Sequence, residues 1–124
     1  TGRKDLREKA EGTFKAFASQ VESNPAAYEK LLSAVDFYHD TVKEIVIVGD
    51  PNLPETRALI RTIHERYLPN RVIIQTSQAD TDSDYPLLKN RVLQNERPTA
   101  YVCEDYRCKL PVNDPAELAQ QLGR

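Results

Sequence analysis

The sequence predicts an α/β fold: an N-terminal helical hairpin, then a small mixed sheet with helices on both faces. Three observations predict it. Apolar residues recur at helical spacing through residues 3 to 39. Two β-branched runs, Ile45-Val46-Ile47-Val48 and Val72-Ile73-Ile74, flank a helical stretch, the pattern of a βαβ unit. A third apolar run, Thr99 to Cys103, leads through a tight turn to a short returning strand and a last capped helix.

Residues 3 to 22 carry Leu6, Ala10, Phe14, Phe17 and Val21 on one stripe, with Lys and Glu between them. Ser23-Asn24-Pro25 separates this helix from the next. Asn24 suits an N-cap, and Pro25 suits the first helical position, where its missing N–H is not needed. The second helix runs to about His39 along Tyr28, Leu31, Leu32, Val35 and Tyr38. The short break makes the pair an antiparallel hairpin.

Glu44 to Val48 is nearly continuous in β-branched residues and reads as a central strand buried on both faces. Gly49-Asp50-Pro51 turns the chain. Asn52 and Glu55 have capping-box spacing, which predicts a helix from about Leu53 to Tyr67, with Leu59, Ile60, Ile63 and Tyr67 inward. Leu68-Pro69-Asn70 ends it before the second strand. Residues 76 to 84 are polar and acidic, a long loop, and a short helix is expected from Tyr85 to Leu93. Glu104-Asp105-Tyr106 is the turn of a hairpin returning over Arg107 to Leu110. Asp114-Pro115 caps the last helix, Ala116 to Leu122.

The order is αα, then βαβαββα, with strands arranged second, first, third, fourth. A parallel third strand makes the sheet Rossmann-like, the favoured reading because helical crossovers join parallel strands. An antiparallel third strand gives a thioredoxin-like core, with Arg97-Pro98-Thr99 where that fold commonly places a cis-proline. The domains expected are 1–42, the hairpin, and 43–124, the α/β part.

Composition narrows the function classes. Hydrophobic residues make up 40% and charged residues 29% of 124 residues, enough apolar material for a core and against global disorder. Lys and Arg total 17 against 19 Asp and Glu, a net charge of -2, so nucleic acid is not held by bulk electrostatics. No apolar run is long enough to span a membrane, and no secretory pattern opens the chain. A cytoplasmic location is expected. The chain has no Met, not even at position 1, so a fragment or a trimmed chain is expected.

Chemistry-bearing residues fall in two places. Gly49, Asp50 and Asn52 follow the first strand, and Thr76 and Ser77 end the second. Together they border the crevice where α/β sheets bind ligands, here a nucleotide or sugar phosphate. No glycine-rich phosphate motif is present, Asp50 repels phosphate, and a capped turn is the plainer reading. Cys103 and Cys108 have C-x4-C spacing and face each other on a tight hairpin, as a disulfide, a redox pair or two structural thiols. Glu104 and Asp105 beside them raise a thiol pKa, and a reducing cytoplasm keeps them free thiols. Zinc lacks further ligands, since His39 and His64 lie on elements with no reason to converge, so no metal or cofactor is expected. His39 reads as a capping or surface residue and His64 as a solvent-edge one. No nucleophile motif occurs, so no catalytic residue is assigned.

Two stretches resemble one family. They are Ile45-Val46-Ile47-Val48-Gly49-Asp50-Pro51 with Thr56-Arg57-Ala58-Leu59, and Thr99-Ala100-Tyr101-Val102-Cys103-Glu104 with Cys108, Pro111-Val112 and Asp114-Pro115-x-Glu117-Leu118. Over about residues 25 to 122 the chain resembles the C-terminal end of the spermatogenesis-associated protein 20 family, large thioredoxin-domain-containing proteins. The resemblance implies an N-terminal thioredoxin-like domain elsewhere in the parent. It also implies a helical toroid similar to six-hairpin glycosidases and N-acylglucosamine 2-epimerases, of which residues 1–42 are the last hairpin. The family's redox and sugar-site motifs would lie in those parts, so none is carried over here. The expected role is a non-catalytic accessory or interaction domain partnered by the rest of its parent chain. A redox domain using Cys103 and Cys108 is the enzyme-class alternative. The hairpin carries more large apolar groups than one seam covers, so self-association through helices 3–39, or mobility of that segment, is expected.

Overall fold

The computed structural model describes residues 3–77, 85–105 and 107–123. Residues 78–84 of the expected acidic loop, and Tyr106 of the expected turn, lie outside the described residues. The chain divides between Asp40 and Thr41 into two compact units.

The first unit is helical. α1 spans Lys4–Ser23, a single 3-10 turn spans Pro25–Tyr28, and α2 spans Glu29–His39. Pro25 takes the first position of that turn, as its ring predicts, but Asn24 makes no side-chain cap. Asn24 is instead engaged in ending α1, donating its backbone N–H to Gln20 O at 3.0 Å. An antiparallel aromatic seam joins the helices. Phe14 meets Tyr38 edge-on with centroids 5.5 Å apart, and Phe17 meets Tyr28 at 6.1 Å. The Tyr38 hydroxyl donates to Glu11, and the Arg7 guanidinium lies 5.0 Å over its ring. Ala10, Phe14, Val21, Leu31 and Val35 are half-buried along this seam, yet neither α1 nor α2 holds a buried residue.

The second unit is a four-stranded sheet ordered β2-β1-β3-β4. β1 (Lys43–Val48) is central, and Ile45, Val46, Ile47 and Val48 are all buried. β2 (Arg71–Thr76) pairs with it in parallel, Val48 opposite Thr76. β3 (Thr99–Glu104) pairs on its other side with Val48 opposite Thr99 and Glu44 opposite Cys103, which makes it antiparallel. β4 (Arg107–Cys108) closes the edge, antiparallel to β3.

The antiparallel β3 corrects the parallel, Rossmann-like expectation. β3 begins beside the end of β1, the same end at which β2 finishes, so it runs back antiparallel to both. A parallel strand would have had to start at the opposite end. Strand order and directions match the thioredoxin-like alternative, although no peptide bond among the described residues is cis, including that before Pro98.

Helix placement also differs from expectation. α3 (Pro54–His64) and α4 (Pro115–Leu122) share one face, where Leu59, Ile63, Leu118 and Leu122 pack on Ile45, Ile47, Ala100 and Val102. The opposite face, with Val46, Val48 and Tyr101, is covered by Leu87 and Leu88. Those leucines belong to a run of turns where a helix from Tyr85 to Leu93 was expected. A left-handed φ at Asn90 breaks any helix there.

Two helix ends follow local chemistry. Asp114 caps α4 as expected, accepting from the Ala116 and Glu117 N–H groups at 2.7 and 3.1 Å. The expected Asn52–Glu55 capping box does not form. Asp50 Oδ1 accepts from the Asn52 N–H at 2.8 Å, and α3 begins at Pro54 with no side-chain cap. α3 stops at His64, so Tyr67 leaves the helical phase and stands 88% exposed, while Leu68 enters the core.

Candidate functional site

The two predicted groups lie at different places on the sheet. At the end of β1, Gly49 donates its N–H to Thr76 O at 2.8 Å, which brings the crevice residues of the first two strands together. Gln75 Nε2 donates to Gly49 O at 2.8 Å. Asp50 and Asn52 form their own small turn, and both are exposed, as is Ser77.

Gly49 is glycine for a packing reason. A Cβ there would stand 2.8 Å from Thr56 Oγ1 and 2.9 Å from Pro98 Cβ. Pro98, just before β3, therefore leans directly on the backbone that was expected to border a ligand. Thr56 Oγ1 is buried without a hydrogen-bond partner. The geometry assigns Gly49 close approach of two chain segments.

The cysteines occupy the opposite region of the unit. Cys103 and Cys108 are register partners on β3 and β4. Lys109 N–H donates to Val102 O at 2.9 Å, one position outward on each strand, so the cysteines form a non-hydrogen-bonded pair. Side chains come closest at such pairs. The two are joined as a disulfide, and among the described residues no cysteine is free. This corrects the expectation of free thiols: Asp105 turns the chain at φ 47°, and the β3–β4 register sets the two cysteines directly opposite each other.

The expected electrostatics also change. Glu104 alternates to the other face of the sheet from Cys103 and pairs with Lys43. That ammonium, hydrogen-bonded to it, holds the Glu104 carboxyl below the usual carboxylate range, against a smaller opposing push from burial. The cation at the sulfurs is Arg91. Its Nη2 donates to Cys108 Sγ at 3.0 Å and to Cys103 Sγ at 3.3 Å.

Arg91 is held on three sides. Asn90 at φ 62° turns the chain immediately before it. Its Nε donates to Leu87 O at 3.3 Å, and its guanidinium lies 4.9 Å over the Tyr101 ring. The Tyr101 hydroxyl in turn donates to Val92 O at 2.6 Å and accepts from Val92 N–H at 3.2 Å. Buried Thr99 continues the network, accepting from Gln94 N–H and donating to Arg97 O, each at 2.8 Å. Asn113 Nδ2 reaches Pro98 O at 2.8 Å and Thr99 Oγ1 at 2.9 Å.

Sequence reasoning missed Arg91, Tyr101 and Asn113. Tyr101 alone gave a signal, because a tyrosine inside a buried strand needs a partner for its hydroxyl. No spacing rule connects Arg91 with cysteines across an irregular segment. His39 ends α2 and His64 ends α3, and no metal-ligating cluster occurs among the described residues.

No protein-family model matches the chain, and no solved structure does. Curated relatives do match. Over 98% of its length the chain is 34% identical to spermatogenesis-associated protein 20 of Rattus norvegicus and 34% identical to that of Homo sapiens. It is 26% identical over the same share to an uncharacterised protein of Caenorhabditis elegans. The chain spans 16% of the length of the rat and human relatives. The family resemblance carried by the residues at β1 and β3 is shown: the chain is homologous to a segment of spermatogenesis-associated protein 20.

Proposed function

We propose that this segment of the spermatogenesis-associated protein 20 family is a non-catalytic, C-terminal accessory and interaction domain of its parent protein. One observation carries the reading. The hairpin buries none of its residues and leaves Leu6, Phe17, Leu32 and Phe37 exposed, four large apolar groups on two helices. The curated relatives that match this chain are far longer than it, and further chain of that kind would cover these groups. In this reading the cover is the rest of the parent, including a helical toroid and, elsewhere, a thioredoxin-like domain, in the cytoplasm.

Amide exchange tests it. Residues 4–39 should exchange fast in the 124-residue chain and at least roughly tenfold more slowly in a protein of the relatives' length. Equal protection in both would overturn the reading. Light scattering over a concentration series separates out the other occupant, a second copy: a concentration-dependent mass means that helices 3–39 self-associate.

A second reading, a small redox domain, is favoured by the Arg91 guanidinium against both sulfurs. A cation there favours thiolate, the form in which cysteine exchanges. Nucleotide or sugar-phosphate binding at Gly49 has no comparable observation behind it.

A further inference from the structure

We propose that Cys103–Cys108 is a one-sided thiol–disulfide exchange site: a dithiol enters at Cys108, Cys103 is the leaving sulfur, and Arg91 attends its charge. This rests on the redox reading and names that site's substrate class and direction of attack.

The argument is the geometry of displacement at sulfur. A thiolate attacks one sulfur along the S–S axis, from the side opposite the other sulfur, and expels that other sulfur. The disulfide lies across β3 and β4 in a sheet ordered β2-β1-β3-β4. In-line attack on Cys108 comes from beyond the edge strand, where Cys108 is exposed. In-line attack on Cys103 comes from over β1. There the residue opposite Cys103 is Glu44, whose carboxylate repels a thiolate, and Cys103 itself is 2% exposed. Steric access and charge therefore select the same sulfur.

The leaving side is prepared. As the Sγ–Sγ bond breaks, its electron pair stays on Cys103 Sγ, 3.3 Å from Arg91 Nη2. Glu44 on β1 and Asp105 in the turn are the anions nearby in the fold, and they oppose this stabilisation. Among the described residues Arg91 alone donates to both sulfurs, and Tyr101 and the Leu87 carbonyl keep it there.

The step balances. The incoming thiolate forms a new S–S bond to Cys108 as Cys103 departs as thiolate. The dithiol's second thiolate then attacks its own sulfur in the mixed disulfide and releases Cys108. Solvent protonates the two cysteines. The dithiol is oxidised by two electrons and the cysteine pair is reduced. In reverse, reduced Cys108 attacks a substrate disulfide and Cys103 resolves the mixed disulfide.

Trapping on the oxidised 124-residue chain tests this directly. The chain is mixed with glutathione, quenched in acid and cut with trypsin. Cleavage after Arg107 separates the two cysteines. At least about tenfold more glutathione on Cys108 than on Cys103 is expected. Equal labelling, or a majority on Cys103, overturns the direction of attack while leaving exchange itself standing. If thiol titration of air-exposed protein finds two free thiols, or dithiothreitol leaves the disulfide intact, the redox reading falls with it. Arg91→Gln should slow reduction by dithiothreitol roughly three- to tenfold, and Arg91→Lys should restore much of the rate. An unchanged rate in Arg91→Gln removes Arg91 from the mechanism.

Discussion

The two units handle their apolar residues in opposite ways. In the α/β unit Ile45, Ile47, Leu59, Ile63 and Leu118 are sealed from water. In the hairpin no residue of α1 or α2 is, although its apolar stripes are as regular. A sheet covered on one face by helices and on the other by Leu87 and Leu88 closes its own core. Two helices have a single mutual seam, and the rest of each apolar stripe stays wet. A helical stripe therefore predicts a helix in both units and burial in only one.

The sharpest way to break that comparison is inside β1. Val46→Asp places an unpaired charge in the central strand, at a cost of about 3–5 kcal/mol. Urea denaturation should show the α/β unit unfolded or its midpoint greatly lowered. An unchanged midpoint would mean that β1 is not central.

Paired truncations sharpen it. Leu118 is fully buried between α4 and the sheet, and Leu118→Ala should cost about 2–5 kcal/mol. Phe17 is 42% exposed, and Phe17→Ala should cost the hairpin less than about 1.5 kcal/mol in this chain. Equal effects on their respective units would show that the hairpin is as self-sufficient as the sheet.

Gly49→Ala comes next. Its methyl group would press on Thr56 Oγ1 and Pro98 Cβ, and neither is the end of a flexible side chain. A loss of about 1–3 kcal/mol is expected by thermal or urea denaturation. A neutral result would show that Pro98 moves aside, reopening the strand end to a ligand.

These sites also show how far the sequence was legible. Four consecutive β-branched residues, Ile45 to Val48, announced a strand buried on both faces, and Asp114-Pro115 announced a capped helix. Both are local signals, and both hold. The direction of β3 is not local: it depends on where the chain after β2 comes back, and polar residues in that segment carry no periodicity to say so. The same segment hides Arg91. That Cys103 and Cys108 face each other was legible, because five-residue separation on a hairpin nearly fixes register; that they are joined was not, and free thiols were expected. The charge at the sulfurs was not legible either, because alternation sends adjacent Glu104 to the other face and the deciding cation comes from a distant turn. The capping box failed because Asp50, two residues earlier, takes the Asn52 N–H first.

The smallest expected effect compares one carboxylate in each unit. Glu104 in the α/β unit is held below its ordinary range chiefly by its hydrogen bond to Lys43. Glu11 in the hairpin is held low chiefly by the Tyr38 hydroxyl, with Arg7 contributing. A carboxyl lowered on folding contributes stability that is present above its unfolded value of about 4.3 and lost as pH falls through the folded value. Both contributions therefore disappear on acidification. The Lys43–Glu104 pair is partly shielded from solvent and should be worth roughly 0.2–1 kcal/mol to the α/β unit at neutral pH. Glu104→Gln should remove that increment near neutrality and flatten the acid limb. Urea midpoints at about pH 6 and about pH 3.5 read both changes. Glu11→Gln should leave those midpoints alone, because Glu11 belongs to the other unit, and should speed amide exchange only within residues 4–39. A midpoint shift in Glu11→Gln as large as that in Glu104→Gln would show that the two units unfold as one.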